Sequence, residues 1–115
     1  MRHPTSLIFG GENMNSIIKK KMPVTELLAG LAEECSELAQ ASLKLRRVFD
    51  KTNPTPTSEE DALEAFYEEI ADVRLYLRMI DIPQKYIDEI MNEKEKRWER
   101  RLKYAENPIH PVDIA

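Results

Sequence analysis

Two short acidic stretches are the part of this sequence best suited to chemistry. The stretch "EECSE" contains Glu34 and Glu37, and the stretch "EEIAD" contains Glu69 and Asp72. Residues three apart lie close together on a helix surface, so each stretch predicts a local pair of carboxylates. Carboxylates gathered in a poorly solvated groove repel one another unless a cation neutralises them. An all-oxygen ligand set without histidine or thiol favours Mg²⁺ or Mn²⁺ over Zn²⁺.

Glu34 stands inside an apolar stripe. Steps of three and four residues from Leu27 to Val48 give one row along a helix, and its other members are Leu31, Leu38, Ala41 and Leu45. A carboxylate removed from water without a partner is costly and tends to become neutral, so a base, a proton or a metal must compensate it. Mg²⁺ sites commonly hold substrate phosphates as well, and the pattern therefore indicates phosphate chemistry. An isolated E-x-x-E on a charged helix is more often only a solvated face.

Two long helices must position these acids. Pro23 suits the first turn of a helix, and the apolar spacing predicts that this helix runs to about Phe49. A loop rich in proline, threonine and asparagine follows, and Ser58 or Thr57 is suited to cap a second helix. The apolar series of the second helix runs to Ile80. If the two helices pack antiparallel, the two acidic pairs face each other.

The remaining elements are also predicted to be helical. A third long helix is expected from about Pro83 to Tyr104, and "SIIKKKM" can form a turn or two of helix before the first. No stretch shows the alternation of a strand, so the sequence predicts an all-α domain at 23–104 with tails at 1–22 and 105–115. A small helical domain often completes its core by pairing with another copy, so we expect a homo-oligomer.

Composition limits the partners and the location. The net charge is −4 with 33% charged residues, which gives no general reason to bind nucleic acid or an anionic membrane. No signal-peptide pattern or long apolar span is found, and the single cysteine excludes an intrachain disulfide. We therefore expect a soluble cytoplasmic protein in which Cys35 is a small buried residue. His3 and His110 fall in the predicted tails and are expected to be inert.

Together, the acidic stretches resemble the E-E-x-x-E … E-x-x-D signature of the MazG-like all-α nucleoside triphosphate pyrophosphohydrolases. This superfamily includes dimeric dUTPases, dCTP pyrophosphatases and phosphoribosyl-ATP pyrophosphohydrolases. The resemblance covers about residues 24–103 and is carried by "LAEECSELAQA" and "EEIADVRLYL". It implies a four-helix bundle completed in a homodimer or homotetramer. It also implies hydrolysis of an NTP or dNTP between the α and β phosphates, giving a monophosphate and pyrophosphate in nucleotide pool control.

The same resemblance implies roles for individual residues. The implied Mg²⁺ ligands, with Mn²⁺ as a possible substitute, are Glu34, Glu37, Glu69 and Asp72. Glu33 matches the first acid of the signature and is a further catalytic candidate. Tyr76 lies one turn after Asp72, where related dCTP pyrophosphatases also have a tyrosine near the substrate phosphates. The connection between the two acidic stretches is longer than is common in the family, so base and sugar preference stay open.

A triphosphate also needs cationic partners. Lys44, Arg74 and Arg78 lie one to two turns beyond the carboxylates on their own helices, and Arg guanidinium suits bidentate phosphate contacts. On the third helix, Lys94 and Arg97 are the candidates for phosphate binding. Ordinary surface charge is the competing interpretation for each of these residues. Glutamates interleaved with the basic residues of that helix disfavour a nucleic-acid surface.

Two other interpretations of the whole chain stay open. The first is phosphoribosyl-ATP hydrolysis, although "DVRLYL" lacks the histidine of that branch's "DLLYH". The second is a non-catalytic helical dimerisation module, in which the acids are surface groups or ion-pair partners. Phe66 and Trp98 could stack on a nucleotide base, but aromatic residues at helical spacing more often belong to a core.

Overall fold

A computed structural model describes residues 16–54 and 56–106, and every regular element in these ranges is a helix. The helices are α1 (Ile17–Lys21), α2 (Val24–Phe49), α3 (Glu59–Ile80) and α4 (Gln84–Glu106). The all-α prediction is confirmed for this part of the chain. The predicted tails fall largely outside the described residues, and His3 and His110 lie there too. None of the four helices is both long and apolar enough to cross a membrane.

The helix ends follow the local sequence. The Pro23 carbonyl accepts hydrogen bonds from the backbone amides of Glu26 (3.0 Å) and Leu27 (3.1 Å), which begins α2. The Ser58 hydroxyl accepts a hydrogen bond from the backbone amide of Asp61 at 3.0 Å, and such a cap contributes about 1 kcal/mol. At its other end, α3 stops at Asp81, whose backbone is left-handed (φ 61°, ψ 65°). The predicted boundaries of both helices are therefore confirmed to within a residue or two.

The predicted apolar stripes form the contact between α2 and α3. On α2, Leu27 and Leu45 are buried, and the other members are half-buried, including Glu34. On α3, Ala62, Met79 and Ile80 are buried, and the half-buried members of its stripe are Leu63, Phe66, Ile70, Val73 and Leu77. Complete burial of one aliphatic side chain stabilises a fold by roughly 1.5–3 kcal/mol. This contact is the main source of stability in α1, α2 and α3.

The two long helices run antiparallel. Leu27, near the start of α2, shares a buried cluster with Met79, near the end of α3. One turn further along α2, the Tyr76 ring lies directly over Gly30. Later residues of α2 thus contact earlier residues of α3. The next turns bring the two acidic stretches opposite each other.

α1 adds a polar contact that the sequence did not reveal. Lys19 forms an ion pair with Asp81, and the two side chains are only 6% and 13% exposed. The Ser16 hydroxyl donates a hydrogen bond to the Met79 sulfur at 3.5 Å. These contacts attach the short helix to the C-terminal end of α3.

The chain divides after Ile82 into two compact units, the first with α1, α2 and α3 and the second with α4. Within α4, Ile87 and Ile90 are half-buried, whereas Met91 is exposed and Trp98 is 67% exposed. The expectation that Trp98 is a core residue is therefore wrong for the described chain. A single helix cannot bury its own apolar stripe, because burial needs a second surface.

One smaller expectation also needs correction. Cys35 is exposed rather than buried. It follows Glu34 by one residue and so lies about 100° around α2 from the stripe that faces α3. The first helix ends at Phe49, as its apolar spacing predicts, and the long connection begins there. There the Asp50 side chain accepts a hydrogen bond from the backbone amide of Thr52 at 3.1 Å, which favours a turn.

Candidate metal centre

Three carboxylates from two helices converge at the α2–α3 contact. One carboxylate oxygen from each of Glu34, Glu37 and Glu69 lies within 4.8 Å of the others. We call these three residues the carboxylate cluster. Glu34, within the stripe of α2, and Glu69, at the edge of the stripe of α3, are both half-buried, whereas Glu37 is exposed at the edge of the contact.

Two oxygens of this cluster lack a partner among the described residues. Oε2 of Glu34 and Oε2 of Glu69 are both buried and receive no hydrogen bond. A buried acceptor without a donor costs free energy, and the cost is larger when it carries charge. A proton, a cation or a water could supply the compensation that Glu34 needs.

The electrostatics of the cluster favour a bound proton when no cation is present. Partial burial raises the pKa of Glu34 from 4.5 to about 7, and the nearby charges of Glu37, Asp72 and Glu69 add to this rise. Burial also raises the pKa of Glu69, again with the charges of Glu37 and Asp72 adding to it. When protonated, either carboxyl can donate a hydrogen bond to Glu37. A cation would remove the need for these protons.

The donor set suits a small hard cation. Mg²⁺ binds carboxylate oxygens at about 2.1 Å, so that opposite ligands of its octahedron stand about 4.2 Å apart. The 4.8 Å limit on the cluster is close to that span. Acidic clusters also occur on proteins that bind no ion, so this fit shows only that Glu34, Glu37 and Glu69 could hold one.

The other two predicted acids, Asp72 and Glu33, lie outside the set of three converging carboxylates. Asp72 is exposed and is not one of the three converging residues, although its charge acts on both Glu34 and Glu69. It is the candidate for a fourth ligand or for a group that holds a water. Glu33 is exposed on α2 and lies outside the converging set.

Tyr76 lies beside the cluster but is held by packing. It is half-buried against the core of Leu27, Met79 and Ile80. A Cβ atom at Gly30 would overlap the outer end of the Tyr76 ring, so a larger residue at position 30 would require the ring or a helix to shift. Gly30 was missed at the sequence level. A glycine inside a helix costs about 1 kcal/mol relative to alanine, and this cost was the available indication of a close approach.

The predicted cations on α2 and α3 are all exposed, and phosphate binding by them stays a prediction. Lys44 is exposed and lies two turns beyond Glu37, about 10 Å along the axis of α2. Arg74 lies about 140° around α3 from Glu69. It lines an open groove on α3 with Arg78 and a set of mainly apolar residues, which are Tyr67, Ile70, Ala71 and Leu75.

The predicted cations of the third long helix belong to α4. Lys94 and Arg97 are both exposed there. Arg97 shares a shallow basic surface with Arg100, Arg101 and Tyr104. Phosphate binding by Lys94 and Arg97 stays a prediction.

A comparison of the chain with protein-family models, with curated proteins and with solved structures finds no match. Support for a function therefore comes from the acidic pattern of the sequence and from the geometry of the carboxylate cluster.

Proposed function

We propose that this protein is a Mg²⁺-dependent nucleoside triphosphate pyrophosphohydrolase of the MazG-like class, acting in the cytoplasm on the nucleotide pool. The reaction would cleave an NTP or dNTP between the α and β phosphates, giving a monophosphate and pyrophosphate. One observation carries the proposal: carboxylate oxygens of Glu34, Glu37 and Glu69 converge from two helices. These are three of the four ligands that the signature implies.

The cluster is a reasonable fit to the implied metal. Its donors are all carboxylate oxygens, and two of them are buried without a partner. Glu34, Glu37 and Glu69 would hold the ion, with Asp72 as the fourth candidate. Mn²⁺ accepts the same oxygen ligands and could substitute for Mg²⁺.

The residues of the chain would act mainly by positioning and by electrostatics. When bound, Mg²⁺ would neutralise charge on the phosphate oxygens and orient the α phosphorus for in-line attack by water. Glu34 would hold a proton on a carboxyl oxygen in the free protein and release it when the cation site fills. Asp72 is exposed beside the cluster, where its carboxylate can accept a hydrogen bond from the attacking water.

We also propose that the functional form is a homodimer or homotetramer. Among the described residues only five apolar side chains are buried, namely Leu27, Leu45, Ala62, Met79 and Ile80. Many more large apolar side chains are exposed, including Leu28 and Leu75 on the α2–α3 pair. A second copy would cover such side chains, because small domains bury too little surface alone. Light scattering after size exclusion should give at least twice the monomer mass.

The first test is a pyrophosphate-release assay on a panel of ribo- and deoxyribonucleoside triphosphates and phosphoribosyl-ATP. It should be run with Mg²⁺ and with EDTA, and the nucleotide product should be identified. We expect a monophosphate and pyrophosphate only when metal is present. Phosphoribosyl-ATP as the sole substrate would select that branch of the superfamily. No turnover on any member of the panel would contradict the proposal.

A non-catalytic helical dimerisation module is the second candidate. The exposed apolar side chains of α4 favour it, since Met91, Trp98 and Leu102 suit contact with another helix. Glu34→Gln separates the two candidates, and Glu64→Gln, at an exposed position of α3, is the matched control. An enzyme should lose metal-dependent turnover in the first variant and keep its fold. A module that depends on ion pairs should lose assembly instead.

A further inference from the structure

Gly30 and Tyr76 meet where α2 and α3 approach each other closely, beside the carboxylate cluster. Gly30 precedes Glu34 by one helical turn, and Tyr76 follows Glu69 by two turns on the same face of α3. Because the helices are antiparallel, these steps run in the same direction along the contact. The Gly30–Tyr76 contact therefore lies one turn from Glu34 on α2 and two turns from Glu69 on α3.

The ring fills the space that a side chain at position 30 would need. Ring carbons Cε1 and Cζ of Tyr76 and its hydroxyl oxygen are the atoms that a Cβ on Gly30 would overlap. Tyr76 also packs against the core of Leu27, Met79 and Ile80, so a shift of its ring would disturb these contacts. A larger residue at position 30 would therefore shift the Tyr76 ring, move the two helices apart, or both.

We propose that Gly30 and Tyr76 form a spacer that sets the α2–α3 separation at the carboxylate cluster and so makes the site prefer Mg²⁺ over Ca²⁺. This inference rests on the proposed function, in which the cluster binds a divalent cation. Both residues are positioning residues, since they act through Glu34, Glu37 and Glu69 rather than on the ion itself.

The link between spacing and cation choice is geometric. Glu34 and Glu37 belong to α2 and Glu69 to α3, so the separation of the helices sets the distances between the ligand oxygens. Mg²⁺ needs oxygens at about 2.1 Å in a strict octahedron, whereas Ca²⁺ accepts about 2.3–2.6 Å in a flexible arrangement. A wider contact would therefore weaken Mg²⁺ binding more than Ca²⁺ binding.

The test is calorimetric titration of Mg²⁺ alone and of Ca²⁺ alone into the full chain, without nucleotide. It compares wild type, Gly30→Ala, Tyr76→Leu and the double variant. Ser42→Ala is the matched control, because it adds helix propensity at an exposed position of α2 without touching Tyr76. Circular dichroism checks that each variant is helical.

We expect Gly30→Ala to weaken Mg²⁺ binding by about tenfold and Ca²⁺ binding much less. In the Tyr76→Leu background the same change should have little further effect, because the overlapping ring atoms are gone. Tyr76→Leu alone should also lower the ratio of Mg²⁺ to Ca²⁺ affinity, since the spacing is no longer defined. This variant keeps the inference testable if Gly30→Ala fails to fold.

The results separate the two proposals. No Mg²⁺ binding by wild type would contradict the metal site itself, and the spacer with it. Wild-type binding with an unchanged Mg²⁺ to Ca²⁺ ratio in Gly30→Ala, or in Tyr76→Leu where only that variant folds, would overturn the spacer alone. A loss of stability without a change in the affinity ratio would assign the contact to packing only, which also overturns the inference.

Discussion

Glu34 on α2 and Lys94 on α4 occupy equivalent places in their sequences, since each interrupts an apolar series with a charge. Their surroundings differ. Glu34 is half-buried opposite Glu69 of a second helix, and its pKa rises to about 7. Lys94 is exposed on a helix that is a compact unit by itself. A charged residue in a stripe thus becomes chemically unusual only when a second surface takes it out of water.

The largest difference between these positions should be seen in turnover. Glu34→Gln should lower metal-dependent pyrophosphate release on the order of 100-fold or more, because it removes a charged ligand. The fold should persist, since one repelling charge is lost from the cluster. Lys94→Gln should reduce turnover far less. An equal loss of kcat/KM in both variants would contradict the different roles assigned to Glu34 and Lys94.

The second difference between the α2–α3 contact and α4 should be seen in the free energy of unfolding. Leu27→Ala removes a buried side chain and should lower the free energy of unfolding by about 2–5 kcal/mol. Trp98→Ala changes an exposed side chain and should stay within about 0.5 kcal/mol in monomeric protein. Urea denaturation at a concentration where wild type is monomeric measures both. A large effect of Trp98→Ala under these conditions would show that α4 is covered within one chain.

The affinity for Mg²⁺ should depend on pH in a way that reports the cluster. Binding must displace the proton that Glu34 holds with its pKa of about 7. Affinity should therefore rise with pH up to about pH 7, by up to about tenfold per pH unit for one released proton, and then level off. Calorimetry in buffers of different ionisation enthalpy counts the protons released. No proton release at pH 6 would contradict the raised pKa of Glu34.

The smallest expected effect is on the stability of the metal-free protein. The folded-state pKa of Glu34 lies above its ordinary value of 4.5, so the folded protein binds more protons than the unfolded chain between about pH 4.5 and 7. This group therefore lowers stability as the pH rises through that window. The melting temperature of wild type relative to Glu34→Gln should fall between these pH values in EDTA. A difference in melting temperature that stays constant over this pH range would contradict the raised pKa of Glu34.

Local pattern predicted much of the fold and part of the site. The bounds of α2 and α3 and the inward stripes followed from apolar spacing and from residues such as Pro23 and Ser58. The facing of Glu34 and Glu69 followed as well for antiparallel helices, because Glu34 stands within the stripe of α2 and Glu69 at the edge of the stripe of α3. Gly30 and the Lys19–Asp81 ion pair did not follow, since each depends on which residue of another helix lies opposite.

By itself, the sequence determined the helices, their apolar faces and the placement of acids on those faces, because the 3.6-residue period assigns every side chain to a side of its helix. Only the tertiary structure decided which charged positions lose water, which carboxylate oxygens converge and where a Cβ atom would meet the ring of a neighbouring helix. These properties depend on the register and separation of two packed helices. The 3.6-residue period of one helix specifies neither the register nor the separation.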